Sequence, residues 1–207
     1  MVSIRQTDTH VFFWGSYLSN FYQLPADIRH STPLFRAALW EGGPLVDFNS
    51  SEQYLMASKA MLFGNVFGFY DERGIYNPSI LEQIMASSSP KEQKALGRRV
   101  TGFDPKLWDF HARRIMFRAL WAKFTQNTDL TYKLLETEGR ILVEGSPLDS
   151  IWGVGLSWDD LAIDDPQNWR GTNWLGEVLM QVRELLILRW EDRADVNSFI
   201  MPDAIAA

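Results

Sequence analysis

Residues 105–125 carry apolar side chains at helical spacing, and no other stretch constrains the fold as much. Trp108, Ala112, Ile115 and Ala119, with Met116 and Leu120 beside them, fall on one stripe of a helix. A helix of that length spans roughly 30 Å, so its stripe needs partners along its whole extent. A second such stretch begins at Asn173, a capping residue, and runs to about Trp190. It places Leu175, Val178, Leu179, Val182 and Leu186 at core spacing. A chain of 207 residues has room for one ordinary domain around such helices and is too short for two full ones.

Shorter elements fill the remainder. Residues 10–17 (HVFFWGSY) are aromatic and β-branched and predict a strand, and Leu45–Phe48 and Ile141–Val143 predict two more. Residues 24–44, with three prolines and a Gly-Gly pair, read as loop with room for one short strand. Asn49, Ser50 and Ser51 are all good N-caps for a helix over about 51–63, which Gly64 ends. Residues 64–79 read as an exposed loop, followed by a short helix at 80–86. Ser89-Pro90-Lys91-Glu92 opens another helix to about Arg99, and a further one covers about 128–137. Glycines and acidic residues make 145–171 a loop. The expectation is an α+β fold, mostly helical with a small sheet, as one domain over 1–195 and a mobile tail over 196–207.

Composition excludes several chemistries. With no cysteine there is no disulfide, thiolate nucleophile or cysteine-held metal. His10, His30 and His111 have no metal-ligand spacing, so neither a metal nor any other cofactor is expected. The N-terminus lacks a signal sequence and no apolar run approaches the roughly 20 residues of a membrane span, which predicts a cytoplasmic protein. A net charge of −6 argues against broad nucleic-acid binding but leaves space for a local phosphate site. Nine Trp and thirteen Phe must fill a core or stack on a ligand.

Three groups of residues could carry chemistry. Glu52 and Lys59 are seven apart on the 51–63 helix and share a face with Met56, Ala60 and Phe63. Ionisable groups on an apolar stripe must be paired, hydrogen-bonded or facing a cleft. The plainer alternative is a first-turn Glu favoured by the helix dipole, with a Lys that snorkels to solvent. The second group is Asp149, three residues before Trp152 and followed by Gly153-Val154-Gly155: an acid or base beside an aromatic platform, or simply a turn residue. The third is the basic set Arg98, Arg99, Arg113, Arg114, Arg118 and Lys123, which grips a phosphate or forms a solvated face.

Taken in order, several short motifs resemble the NADAR (YbiA-like, DUF1768) family. They are Leu18-Ser19-Asn20-Phe21-Tyr22, Ser51-Glu52-Gln53-Tyr54 with Lys59-Ala60, Leu96-Gly97-Arg98, Trp108, Met116, Ala122-Lys123-Phe124, Asp149 through Gly155 and Asn173-Trp174-Leu175-Gly176. The resemblance implies an N-glycosidase acting on phosphoribosylamino-pyrimidine intermediates of riboflavin synthesis. Other members resemble enzymes that remove ADP-ribose from guanine bases, and a third possibility is a non-catalytic module that binds NAD or ADP-ribose. Carried over by position, the resemblance implies Glu52, Asp149 and Lys59 as catalytic residues. It implies Asn20, Arg98, Trp108, Trp152, Gly153 and Asn173 as substrate-binding. The implied partner is a small phosphorylated ribosyl-aminopyrimidine or ADP-ribosyl substrate, and Lys59 holds a phosphate, tunes Glu52 or forms a Schiff base with the opened sugar.

Overall fold

A computed structural model describes residues 3–191. In chain order the elements are strands β1 (Ser3–Gln6) and β2 (His10–Trp14), then β3 (Phe35–Ala37) and β4 (Val46–Phe48). Helix α1 (Ser51–Leu62) leads to the short strands β5 (Phe69–Tyr70) and β6 (Tyr76–Asn77). Helices α2 (Ile80–Ala86), α3 (Pro90–Gly97), α4 (Pro105–Thr125) and α5 (Thr128–Leu135) follow, then β7 (Ile141–Glu144) and α6 (Trp174–Glu191). The class is α+β and mostly helical, as expected. The chain gathers into two compact units, residues 20–127 in one and the segments before and after them in the other. The expected tail over 196–207 lies outside the described residues.

The discontinuous unit is built on a three-stranded sheet of order β1-β2-β7, with β2 antiparallel to β1 and parallel to β7. Val11, Phe12 and Phe13 are consecutive and all buried, so β2 is covered on both faces. Its partner residues Phe12 and Val143 join Val154, Leu156 and Ile163 in one cluster, closed by Trp158 and Trp169. Helix α6 packs on β7 and α5 on α6, and Leu175, Val178, Leu179, Val182 and Leu186 are all buried. Two 3₁₀ turns within the 145–171 loop are capped by the side chains of Asp160 and Asp165, which explains why that loop is acidic.

In the unit of residues 20–127, α1 is the central element: α2, α3, α4 and β4 all pack against it. Ser51 to Ser58 are buried without a break. The helix therefore has no solvated side over its first two turns, where the sequence pattern led us to expect a single apolar stripe. The Ser50 cap, Gln53 and Glu52 Oε2 are accommodated there by hydrogen bonds. Ser50 accepts from the Gln53 amide and donates to Gln93 Oε1 at 3.0 Å, and Gln93 donates to the Ser87 carbonyl at 2.8 Å. Residues 64–79 are also more ordered than the loop expected from their glycines. They form the β5–β6 hairpin, whose tip is held by Asp71 accepting from the Arg73 and Ile75 amides. Two-residue strands carry no readable alternation, so composition alone could not reveal them.

Among the described residues no helix is long and apolar enough to cross a membrane, and no group of three His, Cys, Asp or Glu could hold a metal ion.

Candidate active site

Glu52 occupies the first turn of α1, behind the Ser50 cap, and is 1% exposed. A helix leaves its first amides without intrahelical partners, and here the Asn20 carbonyl takes the Glu52 amide at 2.9 Å. The Asn20 side-chain amide in turn donates to Glu52 Oε2 at 2.5 Å. Asn20 thus grips Glu52 by both its backbone and its side chain, which fixes the rotamer of a buried carboxylate. Asn20 is itself buried. A carboxylate held this way needs no rearrangement before it meets developing positive charge.

Two turns along α1, Lys59 is half-buried. Its Nζ lies 4.2 Å from the centroid of Phe103 and 5.5 Å from that of Trp108. Burial holds its pKa below the usual lysine value; Glu52 pushes it back up, and Arg98 lowers it further. Lys59 therefore feels the charges of both Glu52 and Arg98, and sequence reasoning placed all three in the site. Phe103 it missed. The signal was available: Asp104 caps α4, so Phe103 and Trp108 hold the N′ and N4 positions whose side chains meet as a hydrophobic staple. Both rings are brought to Lys59 by the start of that helix.

The remaining basic residues divide. Arg98 and Arg99 are exposed at the end of α3. Lys123 is fully buried, with its Nζ 5.1 Å from the rings of Tyr22 and Phe124, so it belongs to no solvated face.

The other candidates lie in the discontinuous unit. Asp149 is half-buried, and its Oδ1 accepts from the amides of Ile151 at 3.2 Å and Trp152 at 2.9 Å, so it shapes the turn that carries Trp152. Trp152 meets Trp174 edge-on at 5.7 Å. A side chain on Gly153 would run into the carbonyls of Glu144 and Asp149 at 2.8 and 2.9 Å, so the glycine permits close packing of the chain on itself. Asn173 has a positive φ of 54° and is buried. Its side chain accepts from the Glu144 amide at 3.0 Å and donates to the Leu142 carbonyl at 2.9 Å, clasping β7.

The NADAR domain model matches residues 12–187 and runs through both units. The chain belongs to the NADAR family. Protein irg-1 of Caenorhabditis elegans is 43% identical over 94% of this chain and 87% of its own length. N-glycosidase R617 of Acanthamoeba polyphaga mimivirus is 40% identical over 86% of this chain and 97% of its own. Riboflavin biosynthesis protein PYRR of Zea mays is 36% identical over 55% of this chain, a match confined to 18% of that longer protein. The solved NMR structure of YbiA from E. coli superimposes with a TM-score of 0.60 at 27% identity, covering 91% of this chain and 90% of that one.

Proposed function

We propose that this NADAR protein hydrolyses the C–N bond between ribose 5-phosphate and an aminopyrimidine. The coarser half of the reading, hydrolysis of an N-glycosyl bond, rests on its kinship with proteins named N-glycosidase. The finer half, an intermediate of riboflavin synthesis, is supported by the similarity to PYRR. The reading takes residues 1–195 as one domain, because the family match runs through both units, and places the enzyme in the cytoplasm.

One observation carries the chemistry: the Asn20-clamped carboxylate of Glu52 on the same buried helix as a lysine of lowered pKa. Cleavage of the C1′–N bond builds positive charge on the sugar, and Glu52 stabilises it. The neutral Lys59 amine attacks C1′, the C1′–N bond breaks and the leaving amine takes up a proton. The sugar ring opens to an imine on Lys59, and water then releases ribose 5-phosphate and restores the lysine. Arg98 holds the 5′-phosphate, and Trp108 offers its ring to the base, a contact worth roughly 1–3 kcal/mol where measured. Asp149 is assigned the proton transfers by the family motif alone.

The test follows release of free base by chromatography from the phosphoribosylaminopyrimidine and, separately, from ADP-ribosylated guanosine. We expect turnover of the first and a loss on the order of 10²–10³-fold in Glu52→Gln. Full activity in that variant, or release from ADP-ribosylated guanosine alone, overturns the proposal. Borohydride added during turnover should reduce the imine and leave a covalent sugar adduct on the wild type but none on Lys59→Met.

A further inference from the structure

The β5–β6 hairpin displays aromatic rings that nothing in its own fold requires. Phe67 is 87% exposed and Phe69 64%. Exposing such rings together is unfavourable, and a contiguous exposed apolar patch marks a place where something binds. The hairpin is nonetheless firmly held. The Tyr76 hydroxyl donates to Glu82 Oε1 at 2.7 Å, and Glu82 also closes the capping box of α2. At the base, Asn65 donates to the carbonyls of Phe63 and Thr101 and accepts from the Thr101 amide. The rings are thus presented on a fixed support, which spares a ligand the cost of ordering them.

Phe67 and Phe69 line an open cleft of about 560 Å³ together with Asn77, Gln83 and Arg99. The Arg99 guanidinium makes one hydrogen bond, to Gln83 Oε1 at 3.2 Å, and among the described residues it has no carboxylate partner. Its remaining donors are available to an anion, in the planar geometry that suits phosphate. The surroundings favour negative charge as well. Residues 20–127 carry 13 Lys and Arg against 10 Asp and Glu, whereas the rest of the chain carries 7 against 16. The overall charge of −6 conceals a unit of the opposite sign.

Flat aromatic faces, side-chain amides and one unpaired guanidinium in a single cleft match the parts of a nucleotide: base, base edge and phosphate. We infer that the cleft between the β5–β6 hairpin and Arg99 binds a nucleoside monophosphate, with its base on Phe67 and Phe69 and its phosphate on Arg99. The site is separate from Glu52. Twelve residues of α1 and its C-terminal turn lie between Glu52 and Asn65, a step of roughly 20 Å along the axis. The inference stands whether or not Glu52 is catalytic.

The experiment is a titration of the full chain, labelled with ¹⁵N, by AMP, adenosine and inorganic phosphate, read from amide resonances. AMP should shift the amides of 65–83 and 99, and bind at least tenfold more tightly than adenosine or phosphate alone. Phe67→Ala and Arg99→Gln should each weaken AMP binding about tenfold while the spectrum elsewhere stays unchanged; both side chains are exposed, so neither variant endangers the fold. Shifts confined to the neighbourhood of Glu52 and Lys59, equal affinity for adenosine and AMP, or unchanged binding in both variants would overturn it.

Discussion

Asn20 illustrates how much of a site can rest on one uncharged residue. Its side-chain amide makes a charge-assisted hydrogen bond with Glu52, a class worth about 1.5–3 kcal/mol. If that bond holds the carboxylate for the transition state, Asn20→Ala should lower kcat by roughly 10–100-fold with little change in KM. A rise in KM at unchanged kcat would instead make Asn20 a substrate contact. Lys59 yields a prediction of sign. Burial lowers its pKa, so the neutral amine gains population at lower pH than for a free lysine. As attacking nucleophile it makes kcat rise with pH through that lowered pKa and then level off. Were Lys59 needed as a cation for phosphate, kcat/KM would fall across the same range, and a pH–rate profile separates the two. Glu52 and Lys59 were legible as a pair from their seven-residue spacing. Asn20 was legible only through its motif, because nothing local says that a residue 32 positions upstream reaches the carboxylate.

Helix boundaries were the most legible elements, because caps and breakers are local. Asp104 with Pro105, Ser89 with Pro90 and Ser79 with Glu82 each begin a helix where expected. The all-round burial of α1 was not legible, since it depends on α2, α3 and α4 closing over polar residues that pattern alone assigns to a surface. The Asn-Trp-Leu-Gly motif also acquires a physical reason at this scale. Asn173 clasps the backbone of β7, and a side chain on Gly176 would collide with the Leu142 carbonyl and the Asn173 amide. The Leu142 carbonyl is backbone, and the Asn173 amide is pinned by its bonds to Glu144 and Leu142, so α6 must retreat from β7 to make room. Gly176→Ala should therefore destabilise by about 1–3 kcal/mol, despite the better helix propensity of alanine. A urea titration of the variant against the wild type measures it, and an unchanged midpoint would show that the contact yields.

The sheet was the least legible part of the whole molecule. Strands β2 and β7 pair in parallel across more than half of the chain, and β1 lies in a weakly apolar segment that gave no expectation of a strand. Pairing at that separation is decided by the assembled core and not by the strands' own residues. Charge distribution, by contrast, is readable from the sequence once the units are known, and it has a kinetic consequence. Residues 20–127, which contain Glu52, Lys59 and Arg98, carry an excess of positive charge in an otherwise acidic protein. A field of that sign draws a phosphorylated substrate toward the unit that holds the proposed catalytic groups, and salt screens it over about 10 Å at 0.1 M. Raising KCl from about 50 to 500 mM should then lower kcat/KM for the phosphorylated substrate by roughly three- to tenfold. The same change should leave kcat nearly constant, because a saturated enzyme no longer depends on encounter. The dephosphorylated riboside, which lacks the charge being steered, supplies the control. If its kcat/KM fell in parallel, salt would be acting on the fold or on the Glu52 carboxylate, and electrostatic capture of the phosphate would be excluded.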